Sequence, residues 1–119
     1  MRRAAIRWLM ALFVASVIVA CSRSSVDTRE VRSVIGDDAV VLLSTAECGF
    51  CKRQREDFRA WGVAFREYDV QTSDVGADAY RMLRARGVPI VIVGDERVHG
   101  YAPGRVRELL RDAGLLGGR

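Results

Sequence analysis

Cysteine is scarce in this chain: there are three in 119 residues. A secreted scaffold stapled by disulfides carries several distant pairs, so that class is set aside. Histidine is scarcer still. His99 is the only one, and neither histidine nor methionine stands in Thr45-Ala46-Glu47 ahead of Cys48. A metal module built on the cysteines would therefore need further ligands from elsewhere in the chain. Long apolar runs are missing too. Trp8 to Ala20 is nearly all apolar, but at about 13 residues it falls short of the roughly 20 that span a bilayer as a permanent helix. The chain shows no internal repeat, and its length suits one modest domain. The formal net charge of +4 owes much to Arg2, Arg3 and Arg7. Beyond position 21, sixteen basic residues face fifteen acidic ones, a net of +1. Such a balance gives no reason to propose a nucleic-acid partner.

The basic start, the apolar run and the cysteine that follows it make the tripartite pattern of a bacterial export signal over residues 1–20. Ile18-Val19-Ala20-Cys21 resembles a lipoprotein lipobox. That resemblance implies cleavage before Cys21 and a diacylglycerol on its sulfur. With its new amino group acylated as well, the residue would carry enough chains for stable anchoring. The expectation is a lipid anchor on a membrane of the bacterial cell envelope, facing the periplasm. An ordinary signal peptide and an uncleaved anchor are the alternatives. Residues 21–27 are polar and unpatterned and read as a tether, with the domain proper at 28–117.

Within the domain, Val31, Val34 and Ile35 have helical spacing after Thr28, a candidate cap. Val40 to Ser44 is a short apolar run suited to a buried strand. Cys51 to Trp61 reads as a helix with Cys51, Arg55, Phe58 and Trp61 on one face and Gly62 as its stop. Val63 to Val70 alternates as a strand would. Val75 to Arg86 predicts a second helix, with Ala79, Met82 and Leu83 inward and Gly87 ending it. Ile90 to Val93 predicts a buried strand. Gly94-Asp95-Glu96 predicts a hairpin turn and Arg97 to Gly100 an edge strand. Ala102 to Ala113 predicts a last helix with Val106, Leu109 and Leu110 inward, and Gly114, Gly117 and Gly118 a frayed end. The order is a small helix followed by β-α-β-α-β-β-α. The two βα units predict parallel strands with right-handed crossovers, and the hairpin adds an antiparallel edge. Central strands that are apolar on both faces require helices on both sides.

The chemistry concentrates at Cys48-Gly49-Phe50-Cys51, between the first strand and the helix after it. A sulfur at a helix N-terminus meets unpaired N–H groups and the positive end of the helix dipole, which favour thiolate. A second cysteine one turn on can close a disulfide with it. A pair at this spacing closes too small a loop to constrain much chain, so its purpose is chemical.

Taken in order, Cys48-Gly49-Phe50-Cys51, Gly87-Val88-Pro89, the apolar strand with its Gly-Asp turn, and His99-Gly100-Tyr101 resemble the thioredoxin fold, and within it the glutaredoxin branch, over about residues 38–114. The resemblance implies an α/β fold with a four-stranded mixed sheet flanked by helices. It implies a thiol–disulfide oxidoreductase, with Cys48 as the attacking and Cys51 as the resolving cysteine. It makes Pro89 a cis-proline beside the sulfurs and exposes the Val88 backbone to an extended substrate. Phe50 becomes the exposed aromatic between the cysteines, and Gly100 and Tyr101 join the substrate side. The substrate would be a protein or small-molecule disulfide. An electron donor or acceptor outside this chain completes the cycle, the chain acts as a monomer, and no resident cofactor is needed. Glutathione enters only as an optional co-substrate, because the chain departs from the family there. Thr45 stands where a lysine commonly meets a glutathione carboxylate, and Ala102-Pro103 stands where acidic residues commonly hold the γ-glutamyl end. Tyr101-Ala102-Pro103 looks closer to glutaredoxin-like donors of ribonucleotide reductase. Glu47 replaces the tryptophan that thioredoxin carries there, and its charge opposes thiolate formation at Cys48. Lys52 and Arg53 act the other way. His99 is expected to face solvent, and Phe58 and Trp61 to belong to the core. Two other readings of the pair remain: a soft-metal module, and a non-catalytic envelope lipoprotein using the fold as a binding scaffold.

Overall fold

The computed structural model describes residues 28–117, so the expected export signal, the expected tether and Cys21 lie outside the described residues. Its elements are α1 (Thr28–Ile35), β1 (Val40–Ser44), α2 (Gly49–Ala60), β2 (Arg66–Asp69), α3 (Asp74–Met82), β3 (Ile90–Val93), β4 (Glu96–His99) and α4 (Pro103–Asp112). This is the expected order. The strands form one mixed sheet in the spatial order β2-β1-β3-β4.

Both faces of the central strands are covered. Along β1, Val40 and Leu42 point to one layer and Val41 and Leu43 to the other, and β3 alternates likewise. Phe58 of α2 and Val106, Leu109 and Leu110 of α4 fill the first layer. Val31 and Ile35 of α1 and Ala79 of α3, with Leu83 just beyond it, fill the second. This is why β1 and β3 read as unbroken apolar runs rather than alternating ones. Arg32 fastens α1 to the sheet by donating from Nε to Gly94 O at 2.9 Å and from Nη1 to Asp38 O at 2.5 Å.

The strand directions correct the expectation. Only β1 and β2 are parallel; β3 runs antiparallel to β1, and β4 antiparallel to β3. The reason lies in residues 83–89. The predicted helix to Arg86 ends at Met82, and Arg84 turns the chain with φ +49°, so Gly87 is not its stop. After this turn, β3 starts at the end of the sheet where β2 finished. Ile90 therefore pairs with Leu43, the penultimate residue of β1.

Other boundaries moved for local reasons. Helix α2 begins at Gly49 rather than Cys51 because Cys48, extended at φ −90° and ψ 109°, is its N-cap. It ends as predicted: Gly62 takes φ +68°, and the Val63 N–H returns to Phe58 O at 2.9 Å, the C-terminal closure that glycine permits. Strand β2 is shorter than Val63 to Val70, since its pairing with β1 runs from Val41↔Arg66 to Ser44↔Asp69. Val63 and Phe65 pack into the first layer from the loop. The hairpin turn is Gly94-Asp95, with Glu96 already in β4. Pro103 opens α4, where its missing N–H costs nothing. The C-terminal end is not frayed up to Gly117, whose N–H donates to Trp61 O at 3.2 Å while Leu115 and Leu116 cover the first layer. Gly118 lies outside the described residues.

Gly76, in the first turn of α3, sits against the end of β2. A Cβ there would lie 2.6 Å from Asp69 O and 3.0 Å from Asp69 C, both backbone atoms. Asp69 cannot give way, because its carbonyl accepts from Ser73 N–H at 3.0 Å and its Oδ1 from Gln71 N–H at 2.7 Å. Gly76→Ala should therefore destabilise the fold by about 1–3 kcal/mol, the usual cost of overpacking. Urea unfolding of the full chain measures this, and a midpoint equal to the parent's would contradict the close approach.

Candidate active site

Strand β1 ends at Ser44, four residues before Cys48, and α2 starts immediately after Cys48. The junction places Cys48 as N-cap, and its Sγ accepts the Cys51 N–H at 3.1 Å. A sulfur held by an amide at the positive end of a helix is favoured as thiolate once it is free. Cys48 is half-buried, whereas Cys51 is 0% exposed. The two are joined as a disulfide, with Cα atoms 5.2 Å apart. One sulfur thus faces the surface and the other lies beneath it.

The antiparallel β1–β3 pairing brings the segment before Ile90 to the same place. The Val88–Pro89 peptide is cis, as expected, and Val88 O lies 3.8 Å from Cys48 Sγ. Gly100, at φ +80°, donates its N–H to Pro89 O at 2.8 Å and ties the end of β4 to the proline loop. Phe50 is 56% exposed, the one large apolar side chain so exposed among the described residues. It stacks on Tyr101 with centroids 5.7 Å apart and an interplanar angle of 22°. The Arg53 guanidinium lies 5.7 Å from the Phe50 centroid, a cation–π contact. The structure therefore gathers Cys48, Cys51, Phe50, Val88, Pro89, Gly100 and Tyr101 around one disulfide. Cys21 lies outside the described residues.

His99 is exposed on β4. Partial desolvation, and then the Arg97 charge, push its pKa below the usual 6.5. Phe58 is fully buried, and Trp61 packs edge-on against it at 6.3 Å. The predicted inner face of α2 is corrected at Arg55. That side chain is half-buried and leans to β2, where its Nε donates to Glu67 Oε1 at 2.5 Å. The same carboxylate oxygen accepts from the buried Ser44 Oγ at 2.7 Å. The residue that takes the inner place is Gln54, which is fully buried. Sequence reasoning missed it because a charged helix gives no sign that one amide among its polar residues faces inward. It also missed Asp57, which accepts from the Tyr101 hydroxyl at 2.7 Å. The signal was there: Asp57 lies four residues after Arg53 and so shares its side of the helix. Among the described residues no three of histidine, cysteine, aspartate and glutamate converge to hold a metal ion.

Residues 40–98 match the glutaredoxin family model. Glutaredoxin-C2 of Arabidopsis thaliana is 24% identical over 102 residues, covering 76% of this chain and 92% of the plant protein. Among solved structures, the buckwheat glutaredoxin–glutathione complex superposes with a TM-score of 0.59 at 20% identity, over 76% of this chain and 92% of that one. The glutaredoxin-like NrdH-redoxin of Escherichia coli does so with a TM-score of 0.54 at 24% identity, over 59% and 92%. The chain carries a glutaredoxin-like domain of thioredoxin fold, and its Cys48–Cys51 pair fits thiol–disulfide oxidoreductase chemistry.

The Tyr101 hydroxyl supplies a pH signature. Its hydrogen bond to Asp57, then desolvation, then the Asp57 charge hold its pKa above the usual 10.0. Because the folded value is raised, the bond is fully present below pH ~10 and is lost as pH rises through the folded pKa. In an ultraviolet phenolate titration, the difference between the parent and Tyr101→Phe should have its midpoint above 10, and Asp57→Asn should move it down. A midpoint at or below 10 would contradict the bond.

Proposed function

We propose that this glutaredoxin-like chain is a dithiol-mechanism oxidoreductase of the bacterial cell envelope, held at the periplasmic face of a membrane by lipid on Cys21. Cys48 attacks a substrate disulfide and forms a mixed disulfide, releasing one substrate thiolate. Cys51 then attacks Cys48 Sγ, closing the Cys48–Cys51 disulfide and releasing the second thiolate. A dithiol or another redox partner reopens the pair for the next cycle. The observation that carries this reading is the unequal placement of the two sulfurs: Cys48 half-buried at the N-cap and accepting an amide, Cys51 fully covered. The exposed Phe50–Tyr101 stack and the Val88 backbone beside Cys48 Sγ offer an extended substrate an apolar rest and a strand-like edge.

Glutathione is a secondary reductant in this reading. The buckwheat relative was solved with glutathione bound, but Thr45, Ala102 and Pro103 bring no charge to hold its carboxylates here. A small dithiol, which needs no such charges, is the better match.

Reduction of insulin disulfides by the full chain, driven by dithiothreitol, tests the division of labour. Cys48→Ser should fall to background. Cys51→Ser should keep the first attack and accumulate a mixed disulfide visible by mass spectrometry. Glutathione in place of the dithiol should support a markedly lower rate. Retention of most activity by Cys48→Ser would end the catalytic reading, and a tight, saturable glutathione complex would reverse the order of reductants.

The anchor is tested separately, in cells. Cys21→Ala should abolish acylation and leave the precursor uncleaved by the lipoprotein-specific peptidase. An unlipidated mature N-terminus at another residue would remove the tether from the proposal without touching the redox chemistry.

A further inference from the structure

Gln54 lies one turn beyond Cys51 on α2 and is 0% exposed. Neither its Nε2 nor its Oε1 has a hydrogen-bond partner. A buried carboxamide with all its polar atoms unpaired is costly, and most such groups in folded proteins are paired. Ser44, another buried polar side chain, conforms to that rule by donating to Glu67. The exception is therefore specific to Gln54, and its position suggests the cause.

Residues three apart on a helix have Cβ atoms about 5–6 Å apart. Long helical side chains lean back toward the N-terminus, over the preceding turn. The turn before Gln54 carries Cys51, which is equally buried. In the disulfide, the Cys51 sulfur is bonded to Cys48 and has no proton to give. Reduction by a dithiol breaks the S–S bond. Two electrons and two protons pass to the pair, and the donor leaves as a disulfide. Cys51 then has an S–H to donate or, as thiolate, a charge that seeks a donor. A carboxamide serves either state, with Oε1 accepting the S–H or Nε2 donating to the thiolate.

We infer that Gln54 is a positioning residue for the reduced Cys51, its carboxamide unpartnered in the disulfide state and paired with the Cys51 sulfur once the bond opens. An interaction present only in the dithiol form favours that form, so it makes the pair more oxidising. The inference rests on the dithiol reading of Cys48 and Cys51.

The test is the equilibrium of the full chain against dithiothreitol buffers, with Gln54→Met as a substitution of similar volume. The variant should shift the equilibrium toward the disulfide about fivefold, which is about 20 mV at 29.6 mV per tenfold for two electrons. A purely structural Gln54 would change the stability of both redox forms alike and leave the equilibrium within twofold, which overturns the inference. A measurement on the unsubstituted chain does not depend on the variant folding. At a pH low enough to keep Cys51 protonated, the Cys51 S–H stretching band of the reduced chain should lie below that of an unbonded thiol, and an unbonded frequency also overturns the inference. A parent pair that cannot be cycled by dithiothreitol at all would instead sink the dithiol reading.

Discussion

The site depends on the antiparallel pairing of β1 with β3. Leu43 near the end of β1 faces Ile90 at the start of β3. The chain therefore leaves one strand toward Cys48 and enters the other from Val88-Pro89 at a single edge of the sheet. Had β3 run parallel to β1, Pro89 would lie at the opposite end, beside Val40. No local feature of the cysteine motif or of the proline could then have brought Val88 O to 3.8 Å from Cys48 Sγ. The register is secured by burial on both faces, since a slip of one residue would exchange the two apolar layers. The rest of the rim follows from the same edge. Strand β4 pairs with β3 and ends at His99, which delivers Gly100 to Pro89 O and Tyr101 to Phe50.

That edge combines two environments a few ångströms apart. A helix N-terminus exposes N–H groups that have no partner within the helix, and Cys48 takes one of them. One turn further, α2 drops onto the sheet, and Cys51 goes with it into the covered layer that holds Phe58. The sulfurs differ because a helix packed by one face must bury one residue per turn and need not bury its cap. Asymmetry between the two sulfurs thus comes from helix geometry itself, at no cost to the core. The Arg55–Glu67–Ser44 cluster closes the β2 side of the same helix with paired polar groups.

Much of this was legible in the residues. Val40 to Ser44 and Ile90 to Val93 were readable because buried central strands are apolar without interruption, and the cysteine spacing fixed the site on the helix between them. The direction of β3 was not readable. A helix followed by a strand suggests a parallel crossover, whereas here the connection includes a left-handed turn at Arg84 and delivers β3 antiparallel to β1. That arginine takes φ +49° with no glycine to announce it. The same turn explains why the predicted helix ran four residues too far. Gln54 and Arg55 were interchanged for a different reason. They are adjacent polar residues on a helix whose apolar stripe is narrow, and the choice between them was made by Glu67 on a neighbouring strand. Long-range pairing of this kind leaves no local trace.

The closeness of the cysteines has a thermodynamic consequence. A disulfide that closes a loop only three residues apart in sequence restrains little of the unfolded chain, because loop-closure entropy grows with loop length. The balance between disulfide and dithiol is then governed by what surrounds each sulfur in the folded state. On the Cys48 side the Cys51 amide stands ready to hold a thiolate, and Glu47, next in sequence, opposes it. On the Cys51 side there is burial, which favours the neutral thiol over thiolate, and the carboxamide of Gln54. A chain of this fold can therefore adjust its redox balance by changing one buried polar residue on α2, leaving the cysteines, the proline loop and the aromatic rim as they are. The motif supplies the two sulfurs, and the residues beneath it supply their different surroundings.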